Sequence, residues 1–346
     1  VETSAANAVD VFGRPMRSLR LSVTDRCNLR CAYCMPEEEY RWLERSEVLR
    51  FEELSTLTDS FGAVGVTRLR LTGGEPLVRK DLPELVRLLA AKTWVTDLAL
   101  TTNGVLLAEQ ASALKEAGLQ RITVSIDTLS ADRFRRLTRR NSHAQVLDGI
   151  AAAVRVQFPQ GVKLDSVIVR GVNDDELSQL LEFAGACGAE LRFIEYMDVG
   201  GATQWRRDEV VSRAEILSRV KAVYGSVESL PAEGSAPAER FRLRDGRYFG
   251  IIASTTQPFC SSCDRARLTA DGTLFTCLYA KRGLDLKTPL RAGADAKRIA
   301  SMLETQWRRR SDRGAEARLA LVDRGPLVGV DQLRIEPKLE MHTRGG

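Results

Sequence analysis

The chain has 346 residues, a formal net charge of +5, 44% hydrophobic residues and 28% charged residues. That length suits two domains or one large barrel with an appendage, and the composition is that of a folded protein rather than a disordered one. No run reaches the 18 apolar residues of a membrane helix, the first ten residues lack the apolar stretch of a signal peptide, and two histidines argue against His-rich zinc catalysis or a Ser-His-Asp hydrolase.

From 18 to about 197, strand-like and helix-like stretches alternate. Strands are expected at 19–23, 67–71, 98–101, 122–126, 162–169 and 191–196, with helices at 51–64, 82–91, 109–117, 144–156 and 174–187. This alternation predicts βαβ units on a parallel sheet, in an α/β fold. Six units predict a partial (β/α)6 barrel of the TIM type rather than a complete eightfold one. The stretch 231–239 (PAEGSAPAE) reads as a linker or variable loop. The expected division is therefore a barrel domain, 1–230, and a C-terminal α+β region, 231–346. In that region Asp245-Gly246 and Asp271-Gly272 lie between apolar runs and read as hairpin turns. A helix is expected over 294–307. The arginine run 308–310 reads as a solvated helix end rather than a nucleic-acid patch, and Cys187 as a packed thiol on an apolar helix.

Alternation within the strands separates two faces. Leu19, Leu21 and Val23 oppose Arg20, Ser22 and Thr24; Leu69 and Leu71 oppose Arg68, Arg70 and Thr72; Ile122, Val124 and Ile126 oppose Thr123, Ser125 and Asp127. In a βα barrel the apolar face packs on the helices, so the polar set points inward. The interior then holds Arg20, Arg70, Lys163 and Arg192, which are costly to bury alone. Two readings remain open. The cations pair internally with Asp127 and Asp165, or they bind a polyanion such as a phosphate-bearing substrate, which the planar fork of arginine suits.

The seven cysteines form two triplets and a single residue. An odd number without a secretory signal argues against a disulfide framework. Cys27, Cys31 and Cys34 follow the first strand with C-x3-C-x2-C spacing. Three thiolates can hold three irons of a cubane and leave the fourth open, whereas a structural zinc site wants a fourth protein ligand, and none is near in sequence. Cys260, Cys263 and Cys277 fit either a structural zinc or an auxiliary cluster. Arg265 and Arg267 flank Ala266 just after Cys263. They project to one side of an extended segment, towards a substrate or as a solvated strand edge.

The first triplet, with Tyr33 before its third cysteine, and Gly73-Gly74-Glu75-Pro76 after the second strand together resemble the signature of the radical SAM superfamily. With LTTNG at 100–104, RFIEYMDVG at 192–200, FCSSCDRARLTADG at 259–272 and the closing Gly345-Gly346, the chain resembles the GTP 3′,8-cyclase family of molybdenum cofactor biosynthesis nearly end to end. Residues 224–248 match least. The resemblance implies the partial barrel of radical SAM enzymes with a C-terminal region carrying a second Fe-S cluster. It implies that Cys27, Cys31 and Cys34 hold a [4Fe-4S] cluster that binds S-adenosyl-L-methionine, and that Tyr33, Gly74, Ser125 and Met197 bind the S-adenosylmethionine. It assigns Cys260, Cys263 and Cys277 to an auxiliary [4Fe-4S] cluster with an open iron where guanine docks. Arg20, Arg70, Thr101, Lys163, Arg192, Arg265 and Arg267 match GTP-binding positions, with Arg20, Arg265 and Arg267 counted as catalytic. The implied reaction takes hydrogen from C3′ of GTP and joins C3′ to C8. The implied partners are an external electron donor and cyclic pyranopterin monophosphate synthase (MoaC) as the next pathway enzyme. A homodimer is compatible, no membrane or nucleic acid is expected, and the expected location is cytoplasmic. The resemblance also gives Gly345 and Gly346 a role as a tail reaching towards the active site. The rivals are another radical SAM enzyme with an auxiliary cluster, such as a peptide-maturing one, and a zinc-stabilised nucleic-acid-binding protein.

Overall fold

A computed structural model describes residues 8–37 and 39–345. In chain order the elements are β1 (Ser18–Ser22), α1 (Phe51–Ala63), β2 (Arg68–Thr72), α2 (Leu82–Ala90), β3 (Asp97–Thr102), α3 (Leu107–Glu116), β4 (Arg121–Ser125), α4 (Ala131–Thr138), α5 (His143–Val156), β5 (Val162–Ile168), α6 (Leu177–Ala186) and β6 (Glu190–Glu195). They continue as α7 (Arg213–Tyr224), β7 (Val227–Ser229), β8 (Glu239–Leu243), β9 (Tyr248–Ile252), β10 (Arg265–Leu268), β11 (Thr273–Phe275), β12 (Leu284–Asp285), α8 (Lys287–Arg291), α9 (Ala296–Arg308), α10 (Gly314–Leu319) and α11 (Val330–Ile335).

All strands join one sheet, ordered β12-β11-β10-β1-β2-β3-β4-β5-β6-β9-β8-β7. The six expected strands form its centre, parallel and in sequence order, as a partial barrel of the TIM type. Two strands from the C-terminal half extend them. β10 pairs in parallel with β1, and β9 in parallel with β6. The outer strands are antiparallel additions. The C-terminal α+β region is thus built onto both edges of the barrel, and the sheet runs on across residue 230. Leu19, Leu21, Leu69, Leu71, Ile122 and Val124 are buried in the core shared with the helices, as alternation requires.

Asp245-Gly246 turns between β8 and β9, and Asp271-Gly272 between β10 and β11, with Gly246 and Gly272 at φ +87 and +81. Helices α4, α7, α8, α10 and α11 lie outside the expected set. In α4 few apolar side chains are available, and Phe134 and Leu137 provide its inner contact. Helix α7 is announced by a capping box, Ser212 with Glu215. The run 308–310 corrects an expectation: Arg308 and Arg309 are exposed, but Arg310 is buried.

Candidate active site

The first cysteine triplet sits on the loop leaving β1. The loop is held by the glycine pair that follows β2. A Cβ on Gly73 would stand 2.3 Å from the Thr24 carbonyl oxygen, and one on Gly74 would stand 2.3 Å from that of Arg26. Only glycine allows this approach, in which Gly74 N–H donates to Thr24 O (3.0 Å) and Glu75 N–H to Arg26 O (2.8 Å). The buried Glu75 carboxylate then accepts from Leu77 N (2.9 Å), Thr102 Oγ1 (2.7 Å) and Asn103 N (2.6 Å). Burial nevertheless pushes it up to about 7. Asn103 donates to Asn28 Oδ1 (2.7 Å), tying the end of β3 to the cysteine loop.

Burial raises the Cys27 thiol to about 11, with the Glu75 charge adding to it. Cys31 is raised by burial and then by Cys27 and Cys34; Cys34 is raised by burial and then by Cys27. Three half-buried thiols that oppose one another's ionisation fit a site completed by a cationic iron core. Tyr33 Oη donates to Asp127 Oδ2 (2.5 Å), and Asp127 Oδ1 accepts from Val167 N (2.8 Å). Asp127 is therefore not a partner of the inward cations. Gly74, Ser125 and Met197 lie at the carboxyl ends of β2, β4 and β6, around the same mouth as the cysteine loop.

Inside the barrel is a cavity of about 530 Å³ whose lining includes Arg20, Arg70, Thr101, Lys163, Arg192, Arg265 and Arg267. Both readings of the interior hold in part. Lys163 pairs with Glu190 (3.2 Å) and Arg192 with Asp165 (2.6 Å). Arg20, Arg70, Arg265 and Arg267 have no carboxylate partner among the described residues. Arg70 donates only to the hydroxyls of Thr101 (3.0 Å) and Thr123 (3.2 Å). Sheet register sets Arg267, Arg20 and Arg70 directly abreast on β10, β1 and β2. Burial and then the charges of Arg267 and Arg265 disfavour the Arg20 cation; burial and then Arg265 bring Arg267 down to about 10.

The second triplet faces the same cavity from the other side. Cys263 lies two residues before the first residue of β10, and Cys277 two residues after the last of β11. Burial pushes the Cys263 thiol up, but the guanidiniums of Arg265 and Arg310 outweigh it and leave it at about 7. Burial raises Cys277. Among the described residues no three Cys, His, Asp or Glu side chains converge as a group to hold a single metal ion.

The C-terminal segment closes over this cavity. Arg344 donates to the carbonyls of Leu278 (2.8 Å) and Ala280 (2.7 Å), beside Cys277. The Gly345 carbonyl accepts from Arg20 Nη1 (2.9 Å) and Arg267 Nη1 (2.8 Å). Gly345 has φ +65, and a Cβ there would meet Thr72 Oγ1 at 2.0 Å. Gly346 lies outside the described residues.

Sequence reasoning missed several residues here. Asp198, fully buried, accepts from Arg318 Nε (2.7 Å), Arg324 Nε and Nη2 (both 2.9 Å) and Tyr279 Oη (3.1 Å), linking the segment after Met197 to the auxiliary region. The composition-biased loop 231–239 lines the cavity through Glu233, Ser235 and Ala236, and Ser235 donates to Asp264 Oδ2 (2.6 Å). No local signal marks these long-range partners.

The model of the Radical SAM superfamily matches residues 21–184, and that of Molybdenum Cofactor Synthesis C matches residues 189–316. Among curated proteins, GTP 3′,8-cyclase 3 of Mycobacterium bovis is 54% identical over 341 residues, spanning 97% of this chain and 90% of the relative. GTP 3′,8-cyclase of Acidothermus cellulolyticus is 50% identical over 319 residues, 89% of this chain and 88% of the relative. Among solved structures, Streptococcus suis SuiB bound to precursor peptide SuiA aligns with a TM-score of 0.61 at 12% identity, covering 90% of this chain and 68% of that one. The latter is a likeness of fold.

Proposed function

The chain belongs to the GTP 3′,8-cyclase family of radical SAM enzymes, and from that premise we propose a role for each part of its cavity. The protein converts GTP to (8S)-3′,8-cyclo-7,8-dihydroguanosine 5′-triphosphate, an early step of molybdenum cofactor biosynthesis, using S-adenosyl-L-methionine and an iron-sulfur cluster. When bound, these cofactors supply a one-electron cleavage that yields methionine and the 5′-deoxyadenosyl group that takes hydrogen from C3′.

The finer assignments are our reading. Cys27, Cys31 and Cys34 hold a [4Fe-4S] cluster, and Tyr33, Gly74, Ser125 and Met197 orient S-adenosylmethionine beside it. Cys260, Cys263 and Cys277 hold a second [4Fe-4S] cluster. The division is a barrel domain over 1–230 and an auxiliary-cluster region over 231–346. Arg20, Arg70 and Lys163 grip the triphosphate, with Thr101 and Arg192 completing the wall. Arg265 and Arg267 fix the nucleotide near the second triplet, and Arg20, Arg265 and Arg267 act on the reacting substrate. The observation that carries this reading is the row Arg267-Arg20-Arg70. Three like charges abreast, with Arg267 buried and Arg20 and Arg70 half-buried, are unfavourable alone and fit a polyanion. The cavity walls restrain the nucleotide so that C3′ and C8 meet, and they exclude water. The tail Gly345-Gly346 covers the bound substrate, using the Arg20 and Arg267 contacts already seen at Gly345. An external donor supplies electrons, MoaC takes the product next, and homodimerisation is open to test. No helix among the described residues is long and apolar enough to cross a membrane. We place the enzyme in the cytoplasm, without a nucleic-acid partner.

The test is anaerobic incubation of the iron-reconstituted protein with GTP, S-adenosylmethionine and a strong reductant. Equal yields of 5′-deoxyadenosine and cyclised nucleotide are expected. Cleavage without cyclised product would point to another substrate.

A further inference from the structure

Beside the second cysteine triplet, with none of its three residues among those lining the cavity, lies a buried ionic triad. Asp10 is flanked by Arg14 and Arg310. Arg14 Nε lies 2.7 Å and Arg310 Nη1 3.1 Å from Asp10 Oδ2. The side chains of Arg14, Asp10 and Arg310 are 3%, 0% and 1% exposed. The same two arginines grip the cysteine segment. Arg14 Nη1 donates to the Cys260 carbonyl (2.6 Å), and Arg310 Nη1 to the Cys263 carbonyl (2.8 Å). Trp307 fixes the assembly. Its indole N–H donates to Arg14 O (2.9 Å), and its ring lies 4.4 Å from the Arg310 guanidinium carbon.

This arrangement is costly unless something compensates it. Asp10 is the one carboxylate hydrogen-bonded to the two cations; Asp312, whose side chain is 31% exposed, stands 3.9 Å from Arg310 Nε, beyond hydrogen-bond distance, so the excess positive charge is offset only in part and Arg310 Nε has no hydrogen-bond partner among the described residues. A cluster held by three thiolates is the missing complement. It is negatively charged when oxidised and more so when reduced, so a fixed positive charge beside it favours the reduced form. Arg265 and Arg267 also lie near the triplet, but they face the cavity, and their charge is offset by whatever anion binds there. None of the three triad residues lines the cavity, so their field persists with and without substrate.

We propose that Arg14, Asp10 and Arg310 form a positioning unit that sets the reduction potential of the auxiliary cluster, with Arg310 as its principal positive charge. The proposal rests on the second triplet holding a cluster. The experiment therefore begins with iron and sulfide content of the wild-type protein. A protein holding only one cluster would remove the reading on which the triad depends.

With two clusters present, EPR-monitored redox titration of wild type, Arg310→Met, Arg310→Lys and Asp10→Asn separates tuning from scaffolding. Arg310→Met should lower the reduced-to-oxidised ratio of the auxiliary cluster at least tenfold at fixed potential, a shift of about 59 mV for one electron. Arg310→Lys, which keeps the charge, should shift it less. Asp10→Asn removes the compensating negative charge and should move the ratio the opposite way. The first cluster is the internal reference and should not move. Should Arg310→Met lose its auxiliary cluster, the sign of the Asp10→Asn shift decides. Unchanged potentials in retained clusters, shifts of the same sign, or loss of the auxiliary cluster in both charge-changing variants would overturn the tuning role.

Discussion

Neighbouring strands place like beside like on one side of the barrel and opposites beside each other on the other. Lys163 faces Glu190 across β5 and β6 and Asp165 faces Arg192, whereas Arg20 faces both Arg70 and Arg267. The first group is compensated within the protein; the second has no carboxylate partner among the described residues and on our proposal takes the triphosphate. Arg20→Ala and Arg70→Ala should each weaken GTP binding by about 1.5–3 kcal/mol, the scale of a hydrogen bond to a charged group. Lys163→Ala should cost less, because the Lys163 charge is already offset by Glu190, which Arg240 still pairs (3.0 Å) in the variant. Calorimetric titration checks the order, and guanosine should bind far more weakly than GTP; equal affinities would contradict a phosphate site. Alternation along single strands made the inward cations legible in the sequence. Which of them were paired was not legible, because that depends on the register between strands brought together only by folding.

At the scale of elements, the segment after α9 has few apolar anchors and is held by charge. Asp198 binds both Arg318 and Arg324, and although burial alone would raise its carboxyl, these arginines hold it below the ordinary range. Asp198→Ala would leave Arg324 buried without its counter-ion and should destabilise the fold by about 3–5 kcal/mol in urea denaturation. The last residues act differently. Removing Gly345 and Gly346 should leave the fold and both clusters intact while lowering cyclised product at least about tenfold, equivalent to roughly 1.4 kcal/mol in barrier. Gly345→Ala should lower it too, because the added carbon meets Thr72 and the backbone is left-handed there. Parallel assays of 5′-deoxyadenosine and cyclised nucleotide decide this; wild-type yields would make the tail merely an end. The double glycine was legible as a motif, but the Gly345 contact with Arg20 spans 325 residues of sequence.

For the whole molecule, the six central strands could be read from hydrophobic periodicity, because each unit buries its own helix. The addition of β9 and β10 to opposite edges could not, since those short strands gain their partners only from a barrel already formed. Two clusters predict about eight irons per chain. The combined Cys27→Ala, Cys31→Ala, Cys34→Ala variant should keep about half the iron and lose S-adenosylmethionine cleavage, as measured by iron assay and 5′-deoxyadenosine release. The pairing of β1 with β10 has a further consequence. The first cysteine loop leaves β1 at its carboxyl end, while Cys263 enters β10 at its amino end, and the two strands run side by side in the same direction. Five strand residues at about 3.3 Å each make a stiff rod of roughly 16 Å between the two ends. The sheet is thus a gauge against which an elongated molecule is measured. On the proposed roles of the two triplets, a nucleotide spanning it would be sorted by reach, with base and sugar presented to different ends, before any chemistry begins.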